Sequence, residues 1–233
     1  MQNITIAIDG FSSTGKSTVA KSLAKALGYV YVDSGAMYRA VTLYAMRNDF
    51  IDGTHFNKEG LLNQLDAIAI SFQFNPDLGY AEVYLNGENV EKDIRTLEVS
   101  NLVSQIAAVP EVREKQVALQ RKIGEDKGVV MDGRDIGTVV FPNAELKIFM
   151  TASPETRAKR RYDELVQRGD AVDYESVLEN VQTRDHLDST RKDSPLVQAE
   201  DAILIDNSHL SLQEQFDKIF ELAQKAISVK NSQ

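Results

Sequence analysis

Cysteine is absent from all 233 residues of the chain, which excludes disulfides, thiol catalysis and cysteine-ligated zinc. Long apolar runs are missing too. Nothing approaches the ~20 consecutive apolar residues that cross a bilayer, so no membrane association is expected. The first strand begins within a few residues of Met1, which leaves no room for a signal peptide, and a cytoplasmic protein is expected. Positive charge is in deficit: 26 Lys and Arg stand against 35 Asp and Glu, a formal charge of −9. That balance argues against broad contact with nucleic acid, which requires a basic face. The three histidines, His55, His186 and His209, lack metal-ligand spacing and read as surface or loop residues. Internal repeats and low-complexity linkers are also lacking. The length fits a single α/β domain over 1–233 with an inserted lobe, expected to be a monomer.

What is present begins with Gly10-Phe11-Ser12-Ser13-Thr14-Gly15-Lys16-Ser17-Thr18. It follows the apolar run Ile4–Ile8 and leads into helical spacing, so the pattern G-x-x-x-x-G-K-[ST] lies between a strand and a helix, as a P-loop must. Small residues let the backbone curl until successive N–H groups point inward, at the positive end of the following helix. Lys16 then reaches the outer phosphates of a nucleotide, and the Ser17 hydroxyl lies on Mg²⁺.

Val19, Leu23 and Leu27 repeat every four residues, marking an amphipathic helix that Gly28 caps. Tyr29–Val32 reads as a second strand, and Met37, Val41 and Tyr44 as a second helix. The β-α-β-α rhythm implies right-handed crossovers and a parallel sheet. From about Asn48 the rhythm changes, and a small antiparallel insertion is expected over roughly 60–95. Ala69–Phe74, a turn at Asn75-Pro76-Asp77, and Tyr80–Leu85 read as a hairpin, with a second tight turn at Asn86-Gly87. Helices are expected around 97–108 and after Pro110, strands at Val129–Met131, Leu146–Met150 and Ala202–Ile205, and a closing helix capped by Ser211. The fold class is therefore α/β: a five-stranded parallel sheet flanked by helices, with a small antiparallel insert.

Ligands of such sheets lie beyond the carboxyl ends of the strands. The P-loop, Asp33 and Ser34 with Arg39, and Asp132–Asp135 are expected to meet there around one crevice. Asp132 ends an apolar strand as a Walker B carboxylate does, and either holds Mg²⁺, directly or through water, or caps a turn. Arg134 and Asp135 form a charge pair whose role is binding or purely structural. Six of the twelve arginines fall between Arg157 and Arg191. Arg157, Arg160 and Arg161 share one side of a helix, with Arg168 beyond; Arg184, Asp188 and Arg191 form a second row. Two such rows joined at Gly169-Asp170 suit an arginine-rich helical lid, about 154–191, closing on polyphosphate. The competing view is i,i+4 pairing on an exposed surface, worth ~0.3–0.5 kcal/mol a pair, which explains a pair but poorly explains the density. No residue stands out as a general base. A phosphate acceptor needs none, since its second pKa of about 6 leaves it largely ionised. The Asn-Lys-x-Asp run of guanine-binding switches is missing.

The chain resembles the bacterial cytidylate kinases. The resemblance rests on Ile8-Asp-Gly10 with the P-loop, Asp33–Arg39, Glu98–Asn101, Ala107–Arg113, Asp132–Pro142, Lys147–Phe149 and Arg184-Asp185 through Arg191. It implies a nucleoside-monophosphate-kinase core of sheet order 2-3-1-4-5, a CMP-binding insert at the hairpin, and transfer of the γ-phosphoryl group of ATP to CMP or dCMP. By the same resemblance Ser34, Arg113 and Asp135 recognise cytosine, and Arg39, Arg134 and Arg191 hold the acceptor phosphate. Arg184 and Asp188 meet the sugar hydroxyls, while Lys16, Arg157 and Arg161 grip the transferring group. The family often has proline and further small residues where this chain has Phe11, Ser13 and Thr14, so any cost is expected in ATP affinity. From the residues alone, a kinase for AMP, dTMP or shikimate and a non-catalytic ATP-binding module also remain open.

Overall fold

The computed structural model describes residues 2–232. The chain divides into two compact units, residues 1–32 with 124–233, and residues 33–123. The first unit is built on five strands: β1 (Thr5–Gly10), β2 (Val30–Asp33), β6 (Val129–Gly133), β7 (Leu146–Thr151) and β8 (Ile203–Asp206). Their order across the sheet is β2-β6-β1-β7-β8, the 2-3-1-4-5 arrangement expected. The pairings of β1 with β6 and β7, and of β7 with β8, are parallel. Every residue of β1 is buried, because a central parallel strand is covered on both faces. That places Gly10 at the carboxyl end of the middle strand, where the chain must leave the sheet.

Helix α1 (Lys16–Leu27) follows at once, and Gly28 closes it in the left-handed conformation with its N–H turned back to Ala24 and Lys25. After β6 the chain makes a turn of π-helix at Ile136–Val140, a feature the sequence pattern does not announce. Helices α6 (Pro154–Gln167) and α7 (Tyr174–Thr190) flank the Gly169-Asp170 turn. Ser153 caps α6 with proline at its start, and Asp173 caps α7. The last helix, α8 (Leu212–Asn231), opens on a capping box between Ser211 and Glu214.

The second unit has its own core. Helices α2 (Ser34–Arg47), α3 (Lys58–Asn63), α4 (Leu97–Ala107) and α5 (Pro110–Ile123) accompany a three-stranded antiparallel sheet of β3 (Ile70–Asn75), β4 (Tyr80–Leu85) and β5 (Glu88–Asn89). The turn at Asn86-Gly87 adds β5 as a third strand beyond the expected hairpin. Val41, Leu61, Val83, Val90, Ile94, Ile106 and Val112 belong to one buried cluster. The unit therefore extends well beyond the span of about 60–95 suggested by the hairpin: a two-stranded ribbon is not stable alone, and α2, α4 and α5 share its apolar core.

Candidate active site

The loop after β1 is shaped by contacts that admit only particular residues. A Cβ at Gly10 would lie 2.0 Å from the Met150 carbonyl oxygen, so no side chain fits there. Ser13 and Gly15 both have positive φ, 57° and 85°, and the loop curls through them. Gly15 heads α1 without a side-chain cap, and no acidic residue lies in the first turn. The amide donors of that turn are left to an anion.

Lys16 is buried, and its Nζ donates to the Phe11 carbonyl at 2.6 Å and to Thr14 Oγ1 at 3.5 Å. Burial pulls its pKa down to about 7, Arg134 and Arg184 add to the fall, and Asp132 and Asp9 oppose it. An ammonium held with so little hydration is primed to gain from an arriving anion. The Ser17 hydroxyl donates to Asp132 at 2.9 Å, and Tyr31 donates to the other carboxylate oxygen at 2.8 Å. The pair Ser17 and Asp132 therefore exists as a set of hard oxygen donors.

Asp9 directly precedes the P-loop, and the sequence pattern gives it no role of its own. Its carboxylate accepts the N–H groups of Ile136 and Gly137 at 2.8 and 2.7 Å, tying β1 to the π-turn after Asp135. Burial raises its pKa from 3.8 to about 6, against the pull of those two amides. The folded chain thus holds this proton more tightly than the unfolded one. The stability due to Asp9 is full below its unfolded pKa and is lost as pH rises through about 6. Between pH 4 and 7.5, urea unfolding of wild type and Asp9→Asn should diverge in pH dependence by about 3 kcal/mol. Parallel curves would show that Asp9 does not titrate in this way.

The arginines of α6 and α7 do not form one equivalent row. Arg157 is buried, with Nε on the Ala152 carbonyl at 2.9 Å, Nη1 on the Ser12 carbonyl at 3.3 Å and both Nη groups on Asp185 at 2.9 and 2.5 Å. Its guanidinium also lies 5.1 Å from the Phe11 ring, which meets Phe149 edge-on. Phe11 is thus a platform for Arg157. Arg160 turns to Asn207, and Arg161 pairs with Glu164 at 3.1 Å. Arg134 donates to Asp188 at 3.0 Å, and Arg191 lies 4.0 Å from Asp135 while donating to the Ser194 carbonyl at 2.7 Å. Arg184 acts on Lys16 electrostatically. The loop, Asp132, Arg134, Asp135, Arg157, Arg184, Asp188 and Arg191 all belong to the first unit.

Ser34, Arg39 and Arg113 belong to the second. Asp33 caps α2 through the Ala36 N–H and also receives Arg39 at 2.9 Å and Arg95 at 3.4 Å. Arg95, which also pairs with Glu91, went unnoticed in the sequence because nothing local marks it. Arg113 is buried, donates to the Ala107 carbonyl at 3.0 Å and stacks at 5.4 Å on Tyr38. Ser34 is buried at the start of α2.

A family model described as cytidylate kinase matches residues 6–225. Among related proteins, a cytidylate kinase of Flavobacterium johnsoniae is 65% identical over 98% of this chain and 100% of its own length. One from Flavobacterium psychrophilum is 64% identical over 95% of this chain and 98% of its own. A third, from Bacteroides fragilis, is 57% identical over 97% and 99%.

Proposed function

The chain belongs to the cytidylate kinase family, and on that premise we propose how its residues divide the work of phosphoryl transfer. The protein moves the γ-phosphoryl group of ATP onto CMP or dCMP, giving ADP with CDP or dCDP. The observation that carries the chemistry is what the buried carboxylates of the first unit are doing. Asp9 and Asp132 receive two donors each, Asp188 receives Arg134, and Asp135 faces Arg191. None is placed as a general base. The acceptor oxygen must therefore arrive already ionised, as a phosphate monoester does, and catalysis rests on positioning and on neutralising charge.

Gly10 through Thr18 cradle the donor phosphates. Lys16, Arg157 and Arg161 stabilise charge on the transferring group, with Arg157 exchanging Asp185 for phosphoryl oxygens. Arg39, Arg134 and Arg191 hold the acceptor phosphate, Arg184 and Asp188 the sugar hydroxyls, and Ser34, Arg113 and Asp135 the cytosine ring. Ser17 and Asp132 would hold Mg²⁺. A hydroxyl beside a carboxylate fits this ion, which keeps several waters and shares phosphate oxygens rather than filling a protein cage. When bound it would neutralise phosphate charge. Among the described residues no helix is long and apolar enough to cross a membrane. We further place the protein in the cytoplasm as a monomer.

ADP release measured against a panel of monophosphates tests this assignment. CMP and dCMP should be preferred. Faster turnover of AMP or dTMP would make it a sibling kinase, and inactivity toward every acceptor would favour a nucleotide-controlled docking module. In the same assay Ser34→Ala and Asp135→Ala should raise the acceptor KM by about tenfold and relax base choice, with less effect on ATP, because an unpaired buried group penalises binding. Unchanged discrimination between CMP and UMP in both variants would count against the cytosine roles.

A further inference from the structure

Asn207 follows β8 in the segment Asp206-Asn207-Ser208, which as sequence reads only as a turn. In the fold it is completely buried and bonded on every side. Its Nδ2 donates to the Thr14 carbonyl of the P-loop at 2.6 Å and to Gln215 Oε1 of α8 at 2.7 Å. Its Oδ1 accepts from Arg160 Nη1 of α6 at 3.0 Å, and its own carbonyl accepts Nη2 of the same guanidinium at 2.8 Å. Its backbone N–H goes to Thr151 at the end of β7 at 2.9 Å. Gln215, equally buried, donates its remaining amide to the Leu210 carbonyl at 3.0 Å.

The amide of Asn207 has only one workable orientation. Thr14 offers an acceptor and Arg160 offers donors, so a flipped side chain would set oxygen against oxygen and nitrogen against guanidinium. The consequence for the P-loop follows from the geometry of a peptide. The carbonyl of Thr14 and the N–H of Gly15 belong to one planar trans unit and point in opposite directions. Drawing the carbonyl toward Asn207 turns the Gly15 N–H away from it. Gly15 has no side chain to hold its own peptide, and its positive φ lies in a region most residues avoid. The direction of that donor must therefore be set from outside the loop.

We propose that Asn207 is a positioning residue for the phosphate cradle: it orients the Thr14–Gly15 peptide so that the Gly15 N–H faces the donor phosphates, and it is itself held by Arg160. This rests on the kinase assignment and adds a part to it. Arg160, which helical spacing groups with the phosphate-gripping arginines, serves the cradle from behind. Asn207 touches no substrate.

The test uses the full chain with two substitutions, Asn207→Ala and Asn207→Asp. The second keeps the shape and the acceptor for Arg160 but faces Thr14 with an oxygen, so it remains informative where the alanine variant does not fold. Titration calorimetry with inorganic tripolyphosphate and with ATP reads the cradle, and steady-state kinetics reads KM for ATP and CMP. Both variants should bind tripolyphosphate and ATP about tenfold more weakly, by the same factor, because a buried donor to a backbone carbonyl has been lost. The KM for CMP should change by less than about twofold, a split that a general loosening of the fold would not produce. The proposal is overturned by unchanged tripolyphosphate affinity, by a loss confined to ATP, or by equal rises in both KM values. Failure of the wild-type protein to release ADP with CMP would remove the kinase assignment instead, and the tripolyphosphate titration would still decide the role of Asn207.

Discussion

Lys16→Ala is expected to abolish turnover, with kcat lowered by about 10³-fold, while the protein melts as the wild type does or slightly later. Both halves follow from where the ammonium sits. Its hydrogen bonds go to the Phe11 carbonyl and the Thr14 hydroxyl, both within the loop itself. Among the described residues its side chain makes no hydrogen bond to another strand or helix. Burial makes its charge costly and pulls its pKa down to about 7, so alanine relieves that cost while withdrawing a cation from the buried Asp9 and Asp132, and the two effects oppose each other. For catalysis the same burial works the other way. A poorly hydrated cation at the start of α1 meets a polyphosphate with little competition from water, where electrostatic stabilisation is greatest. The measurements are single-turnover rates with saturating nucleotide, alongside thermal melting. A kcat near the wild-type value would remove the P-loop from the mechanism. A collapse in melting temperature would show that Lys16 supports the fold and that its loss says nothing of chemistry.

Asp132→Asn should lower kcat by about 10²-fold and shift the Mg²⁺ concentration needed for half-maximal activity upward. Asp132 has two duties, the Ser17 hydroxyl on one oxygen and the Tyr31 hydroxyl on the other. Asparagine keeps the shape, and each hydroxyl can rotate to donate or accept, so the ties to α1 and β2 survive in altered form. What disappears is the negative charge. The Mg²⁺ titration therefore separates the roles: a metal-holding carboxylate predicts partial recovery at high Mg²⁺. A turn cap predicts lower stability with an unchanged Mg²⁺ dependence, and that result would sink the assignment.

Much of this molecule is legible without coordinates because it is local. The P-loop pattern spans nine residues, Gly10 through Thr18, and Gly10 and Gly15 stand where the backbone approaches Met150 and turns through positive φ. Strand β4 was bounded correctly by its alternation and its flanking turns. The caps Asp33, Ser153 and Ser211 each accept from a backbone N–H three residues on, a distance any sequence window covers. The sheet order followed from the family resemblance, which reached across the chain where periodicity could not.

The partners of the charged groups were another matter. Helical spacing put Arg157, Arg160 and Arg161 on one face, yet the first goes to Asp185 and Ser12, the second to Asn207 and the third to Glu164. Asp188 lies between two arginines in sequence and receives a third, Arg134, from 54 residues away. Asp9 stands in the Ile8-Asp-Gly10 stretch of the resemblance without showing its partner, and Asn207 carried no signal, because their bonds, to Gly137 and to Thr14, join segments 128 and 193 residues apart. By itself the amino-acid order determined most of the elements and the phosphate-binding turn, since these depend on backbone preferences and on apolar spacing within a few turns, and motifs spread along it carried the family resemblance. Which arginine is committed to the scaffold, and which buried amide holds the cradle open, was decided only in three dimensions. A hydrogen bond is satisfied by whatever donor or acceptor the packed fold brings within about 3 Å, and chain neighbours have no priority in that.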